Sequence, residues 1–131
     1  MKGGIIGQQS ISPITLSMSD CIFCKIINRE IPSKSVYETD KVYAFHDIIP
    51  QAPVHVLIVP KEHIASHNEL TSENVEIMKD IHLAANEIAN QLGISESGYR
   101  LINNCGANAG QTVFHLHYHL VGGKTMGSKI L

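Results

Sequence analysis

Apolar and polar positions change period several times along this chain, and each change marks an element. "VYETDKVYAFHDI" reads as two strands around a Glu-Thr-Asp turn, and "PVHVLIVPK" as a strand closed by Pro60. "YRLINN" and "VFHLHYHLV" read as two more strands, joined by the loop "CGANAGQT". Two stretches follow the helical period instead. Within "DCIFCKIINREIP" a short helix is predicted from Ile22 to about Asn28, ended before Pro32. Residues 72–92 place Met78, Ile81, Ala85, Ile88 and Leu92 at spacings of three and four, with acids in the first turn and Gly93 as a stop signal. These elements define an α+β domain of about five mostly antiparallel strands, with the long helix on one face and a short N-terminal helix.

The last strand carries the chemistry. In "GQTVFHLHYHLVGG", His115, His117 and His119 occupy every second position, so on a strand the three imidazoles share one face while Phe114, Leu116, Tyr118 and Leu120 share the other. Isolated histidines such as His46, His67 and His82 read as structural. Three in alternation each demand a partner for two ring nitrogens, and an unpaired buried polar group costs on the order of 1 to 3 kcal/mol, so this strand reads as the wall of a site. Two chemistries use such a row. A His-x-His pair can converge on a metal ion, or the middle imidazole can attack phosphorus while its neighbours fix its tautomer and bind phosphate oxygens. The preceding loop favours the second. Gly106 and Gly110 allow close backbone approach, and Asn104, Gln111 and Thr112 offer uncharged hydrogen-bonding groups beside the histidines.

Composition narrows the partners. The 131 residues are enough for one domain with one core, and 44% hydrophobic residues with a net charge of −2 give no electrostatic reason for a nucleic-acid or anionic-membrane partner. No apolar run approaches the roughly 20 residues that cross a bilayer, and three cysteines without a disulfide pattern suit a reducing compartment. The expectation is a soluble cytoplasmic protein, with nuclear access open to it. Residues 1–19, "MKGGIIGQQSISPITLSMS", carry neither a secretory nor a transit pattern and predict a disordered arm, leaving 20–131 as the single domain.

"HLHYHLV" resembles the signature of the histidine triad (HIT) family of nucleotide hydrolases and transferases, and the resemblance runs through "CIFCKIINREIPSKSVYETDKVYAFHDIIPQAPVHVLIVPKEHI" and "GYRLINNCGANAGQTVFHLHYHLVGG". The "LVGG" ending and the stretch from Phe45 to Pro53 resemble the Hint branch, histidine triad nucleotide-binding proteins with purine nucleoside phosphoramidase activity, more than the diadenosine polyphosphate hydrolases. The resemblance implies a HIT-like fold whose sheet extends across a homodimer. It implies that His117 attacks the α-phosphorus of a nucleoside phosphoramidate such as adenosine 5′-phosphoramidate, that the amine leaves, and that water hydrolyses the nucleotidyl-histidine. By the same resemblance His119 contacts phosphate and assists the leaving group, with His115 and His55 in support. Asn104, Gln111 and Thr112 would bind phosphate, with Gly110 also in the substrate-binding loop, and Ile31, Phe45, Asp47 and Ile48 would enclose purine and ribose, the carboxylate accepting from the sugar hydroxyls. No metal is required at phosphorus. The tail "KTMGSKIL" departs from the aromatic, proline-bearing tail of some members, which bears on leaving-group preference.

"CIFC" is open to three readings by itself: a redox pair, half a metal site, or two buried thiols. Zinc needs two further ligands, and His63 with His115 would complete a Cys₂His₂ set with Cys21 and Cys24. Some HIT proteins with this Cys-x-x-Cys bind zinc at matching positions, so the resemblance favours a structural zinc ion. Cys105 reads as a small loop residue. The rival functions are a purine-nucleotide-binding dimeric scaffold or sensor with incidental turnover and a dinucleoside polyphosphate hydrolase. A Cys-x-x-Cys oxidoreductase lacks the parallel βαβ context such enzymes use.

Overall fold

The structure, a computed structural model, describes residues 20–131. The N-terminal arm expected over residues 1–19 lies outside the described residues. Five strands, β1 (Ser35–Glu38), β2 (Val42–His46), β3 (Val54–Pro60), β4 (Tyr99–Ile102) and β5 (Tyr118–Gly122), form one sheet in the order β1-β2-β3-β5-β4. Every neighbouring pair is antiparallel. Two helices, α1 (Ile22–Ile27) and α2 (Ile77–Gln91), cover opposite faces. Against α2 pack Val42, Ala44, Val56, Ile58, Leu116, Tyr118 and Leu120, and against α1 pack Tyr43, Phe45, Leu57 and Val59. Alternate residues of each strand thus feed two apolar layers, which is why the central strands read as continuous apolar runs. Among the described residues, no helix is long and apolar enough to cross a membrane.

Two boundaries differ from the sequence reading. The long helix begins at Ile77, not 72. Thr71 and Asn74 explain the delay: Asn74 Oδ1 accepts from the Thr71 N–H at 2.7 Å and Thr71 Oγ1 accepts from the Glu73 N–H at 3.2 Å, so residues 71–76 close as tight turns before the α-helical ladder starts. At the other end Leu92 is the C-cap and Gly93 takes φ +74, as the stop signal predicts.

The second difference concerns the triad. β5 starts at Tyr118, so His115 and His117 precede the strand instead of lying within it. The neighbouring strands run out there. β3 ends at Pro60, which has no N–H to offer, and the Leu116 N–H turns to the Ile64 carbonyl at 2.6 Å. On the other side β4 ends at Ile102, and the Asn103 side-chain amide, not a strand, bonds the His117 carbonyl at 3.0 Å. The alternation of faces persists because the chain remains extended: Leu116, Tyr118 and Leu120 are buried against α2. Phe114 is the exception, 56% exposed where a core position was expected, because the chain has not yet reached the sheet.

Candidate active site and metal cluster

The three histidines divide between two jobs. His115 is fully buried, and its Nε2–H donates to the Pro60 carbonyl at 2.8 Å. That bond fixes the tautomer and turns a bare Nδ1 to the thiols, 3.4 Å from Cys21 Sγ and 3.6 Å from Cys24 Sγ. His63 Nδ1 approaches Cys24 Sγ at 3.3 Å, and the four donor atoms lie within 4.8 Å of one another. The hydrogen bond between the thiols holds Cys21 well below the usual thiol range, with His115 and His63 adding to the effect, and the same contact pushes Cys24 up. A cation would let both sulfurs stand as thiolates, and two sulfurs with two oriented imidazoles match what zinc takes in closed protein sites. The residues therefore fit zinc. Cys105 stands apart from this cluster as a free, partly buried thiol.

His117 is 7% exposed and edge-on to Phe23, with ring centroids 5.1 Å apart. Its Nδ1–H donates to the His115 carbonyl at 2.7 Å, a carbonyl freed because the segment is not in the ladder. A carbonyl can only accept, so the Nε2 lone pair of neutral His117 is left bare. Burial pushes the imidazole below its ordinary range; the His115 carbonyl and Asp47 oppose that, and His115 reinforces it. The neutral, nucleophilic form therefore dominates at pH 7.

His119 and His55 form a second chain of fixed protons. The Gln51 N–H donates to His55 Nδ1 at 3.0 Å, so neutral His55 carries its proton on Nε2, which faces His119 Nδ1 at 2.9 Å. His119 then holds its own proton on Nε2, directed away from His55. Asp47 Oδ2 stands 3.5 Å from His55 Nε2 while Asp47 Oδ1 accepts from the Ile49 N–H at 2.8 Å. Burial first, then the neighbouring His117 and His55, lower His119 to about 4, against a smaller upward pull from Asp47. Folded His119 stays neutral where an unfolded histidine, near 6.5, already binds a proton. This contribution to stability is complete above pH 6.5 and is lost as pH falls toward 4. Melting temperature should fall across that window in the wild type, and His119→Asn should flatten this part of the curve; an equal slope in both proteins would contradict the assignment.

The other expected residues separate by location. Phe45 is buried edge-on to Phe23 and stacked on Tyr43, with Ile31 packed beside them. Asp47 and Ile48 line a cavity that ends at His55, and Ile48 is 90% exposed at its mouth. Asn104 lines a different cavity, with His55 and His119. Gly110 adopts φ +87, a left-handed conformation suited to glycine, and closes the loop. The Gln111 amide is engaged within that loop, its oxygen accepting from the Gly106 N–H and its nitrogen donating to the Ala65 and Val113 carbonyls. Gln111 thus shapes the loop backbone. Thr112 is exposed and lines a cavity beside Cys21 and His63. Sequence reasoning missed Phe23, which touches both His115 and His117. Its position inside the Cys-x-x-Cys was the available signal, since Cys21 and Cys24 on either side of it lie against His115.

The HIT domain profile matches residues 28–126, and the chain belongs to the HIT domain family. It is 48% identical over 108 residues to the purine nucleoside phosphoramidase of Escherichia coli K12, spanning 82% of this chain and 91% of that protein. An uncharacterised HIT-like protein of Synechococcus elongatus is 50% identical over 107 residues, 82% of this chain and 93% of that one. Among solved structures, a HIT family hydrolase from Clostridium thermocellum superposes with a TM-score of 0.84 at 63% identity, covering 86% of this chain and 97% of that chain. A histidine triad protein from Clostridium difficile gives 0.82 at 45% identity, covering 91% and 99% respectively.

Proposed function

We propose that this HIT family hydrolase cleaves the P–N bond of purine nucleoside phosphoramidates, of the adenosine 5′-phosphoramidate type, through a nucleotidyl-histidine intermediate. The observation that carries the reading is the complementary pair of tautomers, a bare Nε2 on His117 beside a protonated Nε2 on His119. His117 Nε2 forms a bond to phosphorus as the P–N bond breaks, while the His119 Nε2–H donates a hydrogen bond at the leaving group and a solvent water gives the departing nitrogen its proton. A second water then bonds phosphorus as the P–His117 bond breaks, and the proton it releases neutralises the hydroxide left by the first. The monophosphate leaves with both imidazoles restored. In this reading Asn104 and the loop closed by Gly110 and shaped by Gln111 bind phosphate oxygens, with Thr112 at the loop's far end. Asp47 accepts from the ribose hydroxyls, and Ile31, Phe45 and Ile48 enclose the purine. The named E. coli relative, a purine nucleoside phosphoramidase, supports this substrate class.

In the same proposal Cys21, Cys24, His63 and His115 hold a structural zinc ion, which when bound supplies cross-linking of α1 to the triad segment and takes no part at phosphorus. A homodimer is part of the reading too; β4, like β1, has one strand neighbour among the described residues and so presents a sheet edge. Incubating the purified chain with adenosine 5′-phosphoramidate tests the function: equal amounts of AMP and ammonia are expected. Tight AMP binding without release of ammonia would favour the scaffold or sensor instead, and faster cleavage of a diadenosine polyphosphate would favour the polyphosphate hydrolase.

A further inference from the structure

His55 stands between two cavities of different character. The one lined by Asp47 and Ile48 carries the carboxylate assigned to the sugar. The other, about 250 Å³, has His55 and His119 on one side, Arg100 and Lys124 on the other, and Ile102 and Val121 between them. No carboxylate among the described residues lines it. The sheet explains this arrangement. Ile102 pairs with His119 and Arg100 pairs with Val121, so all four point to the same face and Arg100 lies diagonally across from His119. The Arg100 guanidinium is also held in place: its Nη2–H groups donate to the carbonyls of Gly127 at 2.9 Å and Lys129 at 2.7 Å, tying down the C-terminal segment that follows Lys124.

We propose that this cavity is a leaving-group subsite that selects amines bearing an anionic group, above all a carboxylate. The inference rests on the phosphoramidase reading above, because it takes His119 as the group facing the departing nitrogen. An amine in contact with His119 extends into a cavity with two cationic side chains and no carboxylate among the described residues that line it. Arg100 and Lys124 supply a guanidinium and an ammonium group, and a guanidinium pairs readily with a carboxylate. An amine carrying a second ammonium group meets repulsion there. Amino-acid-type phosphoramidates, in which the nitrogen on phosphorus also bears a carboxylate chain, match the charge of the cavity. A phosphate-bearing leaving group shares the anionic chemistry and is the alternative source.

Adenosine 5′-phosphoramidates of β-alanine, β-alaninamide and 1,2-diaminoethane, with diadenosine tetraphosphate as the phosphate arm, separate these cases in the wild type, Lys124→Gln and Arg100→Gln. Intrinsic leaving ability cancels when the acid-to-amide ratio of kcat/KM is compared between proteins. That ratio is expected to drop about tenfold in each variant and to fall with ionic strength in the wild type. The diamine substrate should gain in Lys124→Glu. A larger loss for diadenosine tetraphosphate than for the β-alanine compound would transfer the subsite to phosphate leaving groups and overturn the carboxylate assignment. An unchanged ratio in Lys124→Gln, whose exposed side chain can be replaced without disturbing the fold, overturns the proposal even if Arg100→Gln loses its C-terminal segment. Absence of turnover for every phosphoramidate, the unsubstituted one included, would instead sink the phosphoramidase reading itself.

Discussion

His117→Ala is expected to lower turnover of adenosine 5′-phosphoramidate by roughly three to five orders of magnitude, the scale seen when a covalent nucleophile is removed. AMP affinity should change little, because the cavity beside Asp47 and the loop closed by Gly110 are left standing. Circular dichroism and an AMP titration separate lost chemistry from lost structure. The size of the effect follows from the geometry. Of His55, His115, His117 and His119, His117 is the one left with a bare Nε2, whereas the Nδ1 atoms of His55 and His115 are committed to Gln51 and to the thiols. Turnover in His117→Ala within tenfold of wild type would contradict nucleophilic catalysis by this residue.

Removal of zinc is expected to have the second-largest effect, on stability. Protein purified without chelator should contain about one zinc ion per chain, and stripping it should lower the melting temperature by roughly 10 °C or more, since a closed site contributes its binding free energy to folding. Below that temperature, turnover should persist. The cluster binds α1 to the triad segment at Cys21, Cys24 and His115, and without the ion two thiols and two imidazoles remain buried or half-buried together. Cys24→Ser should reproduce most of the loss. Immediate loss of turnover on chelation in a folded protein would assign the metal to catalysis, and metal-free protein of full stability would leave the four residues as a packed thiol–imidazole cluster.

The His117 site and the thiol–imidazole cluster meet at His115, and its neighbours show how far the chain could be read from sequence. Strand and helix periods placed all five strands and both helices, because each face buries a full apolar layer and the pattern of Val42 to Phe45, Val56 to Val59 and Ile81 to Ala89 is set by that burial. What periodicity does not reveal is where hydrogen-bond partners run out. The triad looks like one strand from Val113 to Val121, yet its first half is extended chain held by Ile64, Asn103 and Pro60, three residues distant in sequence. This break matters for the chemistry, since a His115 carbonyl already committed to a ladder would not be free to fix the His117 tautomer. Gln111 shows a different limit. Its type suits phosphate binding, but only tertiary structure shows the amide turned to Ala65, Gly106 and Val113. Phe23 and the diagonal from Arg100 to His119 were hidden for a similar reason, because they join elements that the sequence keeps roughly 20 to 95 positions apart.

The nucleotidyl-histidine itself is the most direct test. Mixing the protein with excess adenosine 5′-phosphoramidate and quenching at high pH within the first turnover, where a phosphorus–nitrogen bond to imidazole survives, allows intact and peptide mass spectrometry. The account predicts a mass increase of one adenylyl group on the peptide containing "FHLHYH", located at His117 and missing from His117→Ala. Burst release of ammonia with no adduct on His117, or an adduct on His119 or His55, would contradict it.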